Sequence, residues 1–117
     1  MKQVKVVVFD FNGTLLDDLA VAYGSVKRIF ETYNLASPTI NEFREEITAD
    51  FMEFYFRHGF TRDTSLDELN VIRRSFYEAN WTKSKIRPDV GATLKWLSGE
   101  GFCTAIVSAE RPAALYR

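Results

Sequence analysis

The run Val6-Val7-Val8-Phe9-Asp10-Phe11-Asn12-Gly13-Thr14-Leu15-Leu16-Asp17 constrains this chain more than any other stretch. An uninterrupted apolar segment rich in β-branched residues reads as a strand buried on both faces, the sequence form of a parallel α/β sheet. The segment stops abruptly at a carboxylate, turns at Asn12-Gly13 and gives way to a helical pattern. In open α/β sheets, ligands bind in the crevice beyond the carboxyl ends of the strands. Asp10 therefore stands where a fold of this kind does its chemistry.

Residues 18 to 34 carry apolar side chains at Leu19, Ala22, Val26, Ile29, Phe30 and Tyr33, a helical spacing that Asp17 or Asp18 is placed to cap. Asn34 through Pro38 breaks it. Thr39-Ile40-Asn41-Glu42 has capping-box spacing and opens a second predicted helix, with Phe43, Ile47, Phe51 and Phe54 on one stripe. After a loop from Gly59 to Thr64, Ser65-Leu66-Asp67-Glu68 is a second such box, continued by Leu69, Ile72, Phe76 and Ala79. Ile86 to Asp89 reads as a connection held open by Pro88. Val90, Leu94 and Leu97 predict a short amphipathic helix stopped by Gly99 or Gly101. Phe102 to Val107 predicts a second buried strand ending at Ser108, and a further helix begins near Arg111-Pro112.

Strand, helices, helix, strand is an α/β organisation. A crossover between parallel strands needs only a dozen or more residues, and residues 18–85 far exceed that. They form a helical insert placed just after the Asp10 turn, suited to cover it, while residues 1–17 and 86–117 form the partial core of parallel strands.

The chain of 117 residues has a formal charge of -1, which offers no basic surface for nucleic acid or for an anionic membrane. No apolar stretch approaches the ~20 residues of a spanning helix, and the amino terminus has no signal-peptide pattern. Cys103 is the single cysteine, so no internal disulfide forms and a reducing, cytoplasmic setting is expected.

The segment Asp10-Phe11-Asn12-Gly13-Thr14-Leu15-Leu16-Asp17, followed later by Ile106-Val107-Ser108, resembles the haloacid dehalogenase superfamily. Its phosphatase branch joins a hydrophobic strand ending in Asp-x-Asp-Gly-Thr to a later strand ending in Ser or Thr. Arg87-Pro88-Asp89-Val90-Gly91 also looks like that family's approach to its second motif, and helical-cap phosphatases of the phosphoglycolate phosphatase type are the nearest in pattern. The resemblance implies a Rossmann-like core with an inserted α-helical cap. It implies a hydrolase that acts on a small phosphorylated metabolite through an aspartyl-phosphate, with Asp10 as nucleophile. A carboxylate suits that role because the mixed anhydride it forms is itself labile. It further implies that the N–H groups of Phe11 and Asn12, with the Ser108 hydroxyl and the Ala109 N–H, face the phosphoryl oxygens. Mg²⁺ would be held by the Asp10 carboxylate and the Asn12 backbone carbonyl, both hard oxygen ligands.

Two departures stand out. The family's second Asp, the general acid, is Asn12 here, and an amide cannot shuttle a proton near neutral pH. General acid–base catalysis is typically worth about 10²–10⁴ in rate, so poor leaving groups suffer most. The family's later lysine and metal-completing aspartates have no counterpart after Ser108, where only Glu110, Arg111 and Arg117 are charged. The chain is accordingly expected to be the first half of a longer protein, inactive by itself. The alternatives are a non-catalytic protein of this fold with a binding or regulatory role, or another reaction of the superfamily such as C–halogen or C–P cleavage. The remaining candidates read as structure. His58 is a surface or packing residue, and Cys103 is a small buried hydrophobe. Phe51, Phe54, Tyr55, Phe56, Phe60, Phe76, Tyr77 and Trp81 fall mostly on helical stripes and read as core. Arg44, Glu45, Glu46, Arg73 and Arg74 read as solvated faces.

Overall fold

The structure is a computed structural model and describes residues 3, 5–47 and 50–108. Ten elements follow one another: β1 (Lys5–Phe9), β2 (Leu16–Asp17), α1 (Leu19–Thr32), α2 (Ile40–Glu46), α3 (Phe51–Arg57), α4 (Leu66–Asn80), a 3₁₀ turn (Trp81–Lys83), β3 (Lys85–Ile86), α5 (Val90–Gly99) and β4 (Phe102–Ile106). They separate into two compact units, Met1–Asp18 with Ser84–Arg117, and Leu19–Lys83.

In the α/β unit, β1 and β4 pair in parallel, with Lys5 opposite Phe102 and Phe9 opposite Ile106. The Val107 N–H extends the ladder by donating to the Phe9 carbonyl at 2.9 Å. Helix α5 packs on β4 and buries Leu97. The expectation of strands buried on both faces fails. Val6 and Val8 are 53% and 57% exposed, Ile106 and Val107 are exposed as well, and Cys103 is exposed rather than buried. The physical reason is the size of the sheet. A pair of strands has two faces and two edges, and within the described residues of this unit only α5 lies against it.

A second short ladder was not legible in the sequence. β2 and β3 pair antiparallel, Leu16 opposite Ile86 and Asp17 opposite Lys85, where a plain connection was expected. Two-residue strands are too short to show period-2 alternation. Their pairing clamps the chain on either side of the helical unit, and the Arg87 N–H adds a bond to the Leu15 carbonyl at 3.0 Å.

The helical unit has a closed core. Ile29, Phe30, Phe54 and Leu69 are almost fully buried, with Val26, Phe43, Tyr55 and Phe60 around them. Phe30 is the hub: its ring centroid lies 5.0 Å from Phe60, 5.9 Å from Tyr55 and 6.3 Å from Phe54, in stacked and edge-on geometries that favour aromatic pairs. Burial pushes the Tyr55 hydroxyl up to about 12, against a smaller opposing effect of the Arg73 guanidinium. Helices α1 and α4 approach closely at Gly24, where a Cβ would sit 2.6 Å from the Phe76 ring. The aromatic cluster thus divides: Phe54, Tyr55 and Phe60 are core, while Phe51 and Trp81 are exposed.

The helix expected through Phe43, Ile47, Phe51 and Phe54 is two helices. Ile47 is extended at φ -69°, ψ 126° and ends α2, and the Asp50 side chain caps α3 by accepting from the Glu53 N–H. A continuous apolar stripe hid the break, because both short helices face the same core. At Thr39 the full capping box forms, with the hydroxyl accepting from Glu42 N–H and the Glu42 carboxylate accepting from Thr39 N–H, each at 3.1 Å. At Ser65 the hydroxyl accepts from Glu68 N–H at 3.3 Å, but the Glu68 carboxylate accepts from the Tyr33 hydroxyl.

Candidate active site

The parallel register places the ends of β1 and β4 side by side. Phe9 and Ile106 are partners, so Asp10 and the pair Val107-Ser108 leave the same edge of the sheet. Asp10 is exposed, and its carboxylate is oriented from its own loop: Oδ1 accepts from the Phe11 N–H at 2.9 Å, and Oδ2 from the Thr14 hydroxyl at 3.3 Å.

The loop that holds it is wound tightly. The Phe11 carbonyl accepts from the N–H groups of Thr14, Leu15 and Leu16 at 3.0–3.2 Å, and Gly13 N–H returns to the Leu16 carbonyl at 2.9 Å. Gly13 sits at φ 77°, a conformation that costs an L side chain but not glycine. Arg87 braces the same turn from the far side of the insert, donating from Nη2 to the Gly13 carbonyl at 3.3 Å. A cavity of about 150 Å³ opens against Thr14, bounded by Phe9, Leu15, Arg87, Asp89 and Val90.

Asn12 is half-buried and its side chain is spoken for. Nδ2 donates to the Asp18 carboxylate at 2.8 Å, and Asp18 is 6% exposed. Two residues that matter to the loop were therefore missed in the sequence, Arg87 and Asp18. The first stood in a connection, and the second read only as a helix cap beside another aspartate. Nothing in the spacing of Asn12 and Asp18 signals a bond, because it depends on the three-dimensional path of the turn between them.

Of the residues expected to meet a phosphoryl group, the structure brings Asp10, Phe11 and Asn12 together in one loop and sets Ser108 at the end of the neighbouring strand. The Phe11 N–H is turned onto Asp10 itself. Ala109 lies outside the described residues. For a hard cation, the donor set is suitable: an exposed carboxylate at Asp10, and at Asn12 a backbone carbonyl that accepts no backbone hydrogen bond among the described residues. These are two oxygen ligands of the six that Mg²⁺ prefers.

A different group of ligand-type side chains lies in the helical unit. Glu42, Glu46 and His58 hold atoms within 4.8 Å of one another. Each is otherwise engaged. Glu42 closes the capping box, and the backbone N–H of Thr39 is the main reason its carboxyl is held below the usual range. Glu46 pairs with His58 Nε2 at 2.5 Å, while the His58 ring packs 4.8 Å from Phe54. His58 is thus a packed, paired residue of the helical unit.

A family model for haloacid dehalogenase-like hydrolases matches residues 4–117. The chain belongs to that family. Solved structures agree in fold. A haloacid dehalogenase-like family hydrolase of Streptococcus pneumoniae superposes with a TM-score of 0.79 at 20% identity, over 95% of this chain and 52% of that one. Protein tyrosine kinase A of Mycobacterium tuberculosis gives 0.78 at 21% identity, over 99% and 54%. A predicted phosphoglycolate phosphatase of Haemophilus somnus gives 0.68 at 24% identity, over 97% and 55%. The chain of this dehalogenase-like hydrolase thus spans about half the length of the solved structures it matches. No curated protein matches it. Among the described residues no helix is long and apolar enough to cross a membrane.

Proposed function

We propose that this haloacid dehalogenase-like protein belongs to a phosphatase that acts on a small phosphorylated metabolite in the cytoplasm, with Asp10 as nucleophile. The observation that carries this reading is the placement of Asp10: an exposed carboxylate at the carboxyl end of a parallel strand pair, oriented by Thr14, with Ser108 leaving the same sheet edge.

The Asp10 oxygen attacks phosphorus, the new O–P bond forms as the ester P–O bond breaks, and water later cleaves the acyl phosphate. Thr14 holds the carboxylate so that little rotational freedom is lost on attack. The Ser108 hydroxyl and the Ala109 N–H supply donors to the phosphoryl oxygens, whose charge is the main thing to be stabilised. Asp10 and the Asn12 carbonyl would hold Mg²⁺, which supplies neutralisation of phosphate charge when bound.

The test is turnover of small phosphate esters by the whole protein, with Mg²⁺, against Asp10→Asn. Loss of turnover to background in the variant is expected. Equal activity in the two removes the nucleophile assignment. Haloacids and phosphonates assayed in parallel address the other chemistries of the family. A second reading, a non-catalytic protein that keeps the fold to bind a phosphorylated ligand, draws on Asn12, which supplies no proton. Phosphate binding with no turnover of any ester would favour it.

A further inference from the structure

Asp18 is buried, ionisable and unused by the reaction just described. It sits at the end of the loop that begins with Asp10, and its one described partner is the side chain standing where the family's general acid would be. The Asp18 Oδ2 accepts here, and an amide has one donating end and one accepting end. The 2.8 Å contact therefore decides which way round Asn12 is held: Nδ2 to Asp18, and Oδ1 turned away from it. Burial of Asp18 raises the cost of breaking this bond. With one N–H committed to Asp18, the amide has a single N–H and Oδ1 left to offer.

We propose that Asp18 is a positioning residue that locks the Asn12 amide, and that the site so built serves phosphate compounds whose leaving oxygen departs as an anion. The proposal rests on the phosphatase reading above. In the step itself the Asp10 Oδ–P bond forms and the P–O bond to the leaving group breaks. The departing oxygen keeps the electron pair and takes its proton from water, because the Asn12 amide has none to give. Aryl and acyl phosphates tolerate this, since their leaving groups are weak bases. Alkyl phosphates do not.

Three measurements on the whole protein test it. In the unmodified protein, the side-chain amide protons of Asn12 are followed by ¹⁵N-resolved hydrogen exchange, which needs neither a variant nor turnover. One proton is expected to exchange at least tenfold more slowly than its geminal partner. Next, Asp18→Ser and the near-isosteric Asp18→Leu, neither of which keeps a carboxylate or amide oxygen to accept from Asn12 Nδ2, are compared with wild type on an aryl and an alkyl phosphate. A drop in kcat of tenfold or more is expected, with KM within twofold, because orientation of the amide is lost while the phosphate contacts remain. Finally, exchanging the pair as Asn12→Asp with Asp18→Asn puts a proton carrier at position 12 beside an amide donor. It is expected to raise alkyl phosphate turnover relative to aryl by about 10² or more, the scale of general acid catalysis, and to add an acid limb to the pH profile. Equal exchange of the two Asn12 protons, or unchanged kcat in both Asp18 variants, overturns the proposal. Should Asp10→Asn keep full activity, the phosphatase reading fails on its own, while the exchange measurement still decides whether Asp18 holds Asn12.

Discussion

The helical unit and the α/β unit solve the burial problem to different degrees. Residues 19–83 surround Phe30 with the rings of Phe54, Tyr55, His58 and Phe60 and leave Ile29, Phe54 and Leu69 almost without solvent contact. The α/β unit buries Leu15 and Leu97 but leaves Val6, Val8, Ile106 and Val107 largely in water. The lesson is geometric. Four amphipathic helices present one stripe each and can close on themselves, whereas a strand pair presents two faces and needs a layer against each. A pair of strands alone is marginal in water. Burial among the described residues is therefore concentrated in the helical unit, while the candidate site lies in the other.

Substitutions test that asymmetry directly. The largest effect is expected for Phe30→Ala, which removes the hub of the aromatic core. It should lower unfolding stability by about 3–5 kcal/mol in a urea titration followed by circular dichroism. A loss below about 1 kcal/mol would mean that the helical core is not the main source of stability.

The second test is pH. Tyr55 is buried with its hydroxyl raised from 10.0 to about 12, so the folded state keeps a proton that the unfolded state has already lost above pH 10. Its contribution is complete below pH 10 and disappears between pH 10 and pH 12, on the order of 3 kcal/mol for this single group. The Tyr55→Phe variant should lose that part of the alkaline slope. An identical slope in the two proteins would place Tyr55 in water.

Smaller effects sharpen the contrast. Thr39→Ala opens the capping box of α2 and should cost about 1 kcal/mol, a large share for a helix of seven residues. Val8→Thr, by contrast, changes an exposed strand position and should shift stability by less than about 0.5 kcal/mol in this chain. A cost for Val8→Thr comparable to Phe30→Ala would show that the sheet face is covered after all.

Much of this architecture was legible before any coordinates. Leu19 to Tyr33, Ser65 to Ala79 and Val90 to Leu97 carry helical periodicity, and helices form there. The parallel α/β class followed from two apolar segments separated by helices. Legibility failed where local pattern and tertiary context part ways. Ile47 continues a stripe yet ends a helix, since the stripe reports which core a residue faces and not whether the backbone is continuous. Cys103 lies in an apolar segment yet is exposed, since burial belongs to whatever packs on a strand. At the site, Asp10, Gly13 and Thr14 could be read from their order, because they act within one short turn. Arg87 and Asp18 could not, because they reach that turn from elsewhere.

By itself, the order of residues determined that a carboxylate ends an apolar strand, that a glycine turn follows and that helices lie between this strand and the next. Periodicity and turn chemistry are local, and they need no knowledge of the rest of the chain. Only the tertiary structure decided that Ser108 leaves the same sheet edge as Asp10, that Arg87 grips the Gly13 turn and that Asn12 answers to Asp18. Those facts come from strand register and from hydrogen bonds closed across the fold, whose energy depends on distance and angle rather than on separation in sequence.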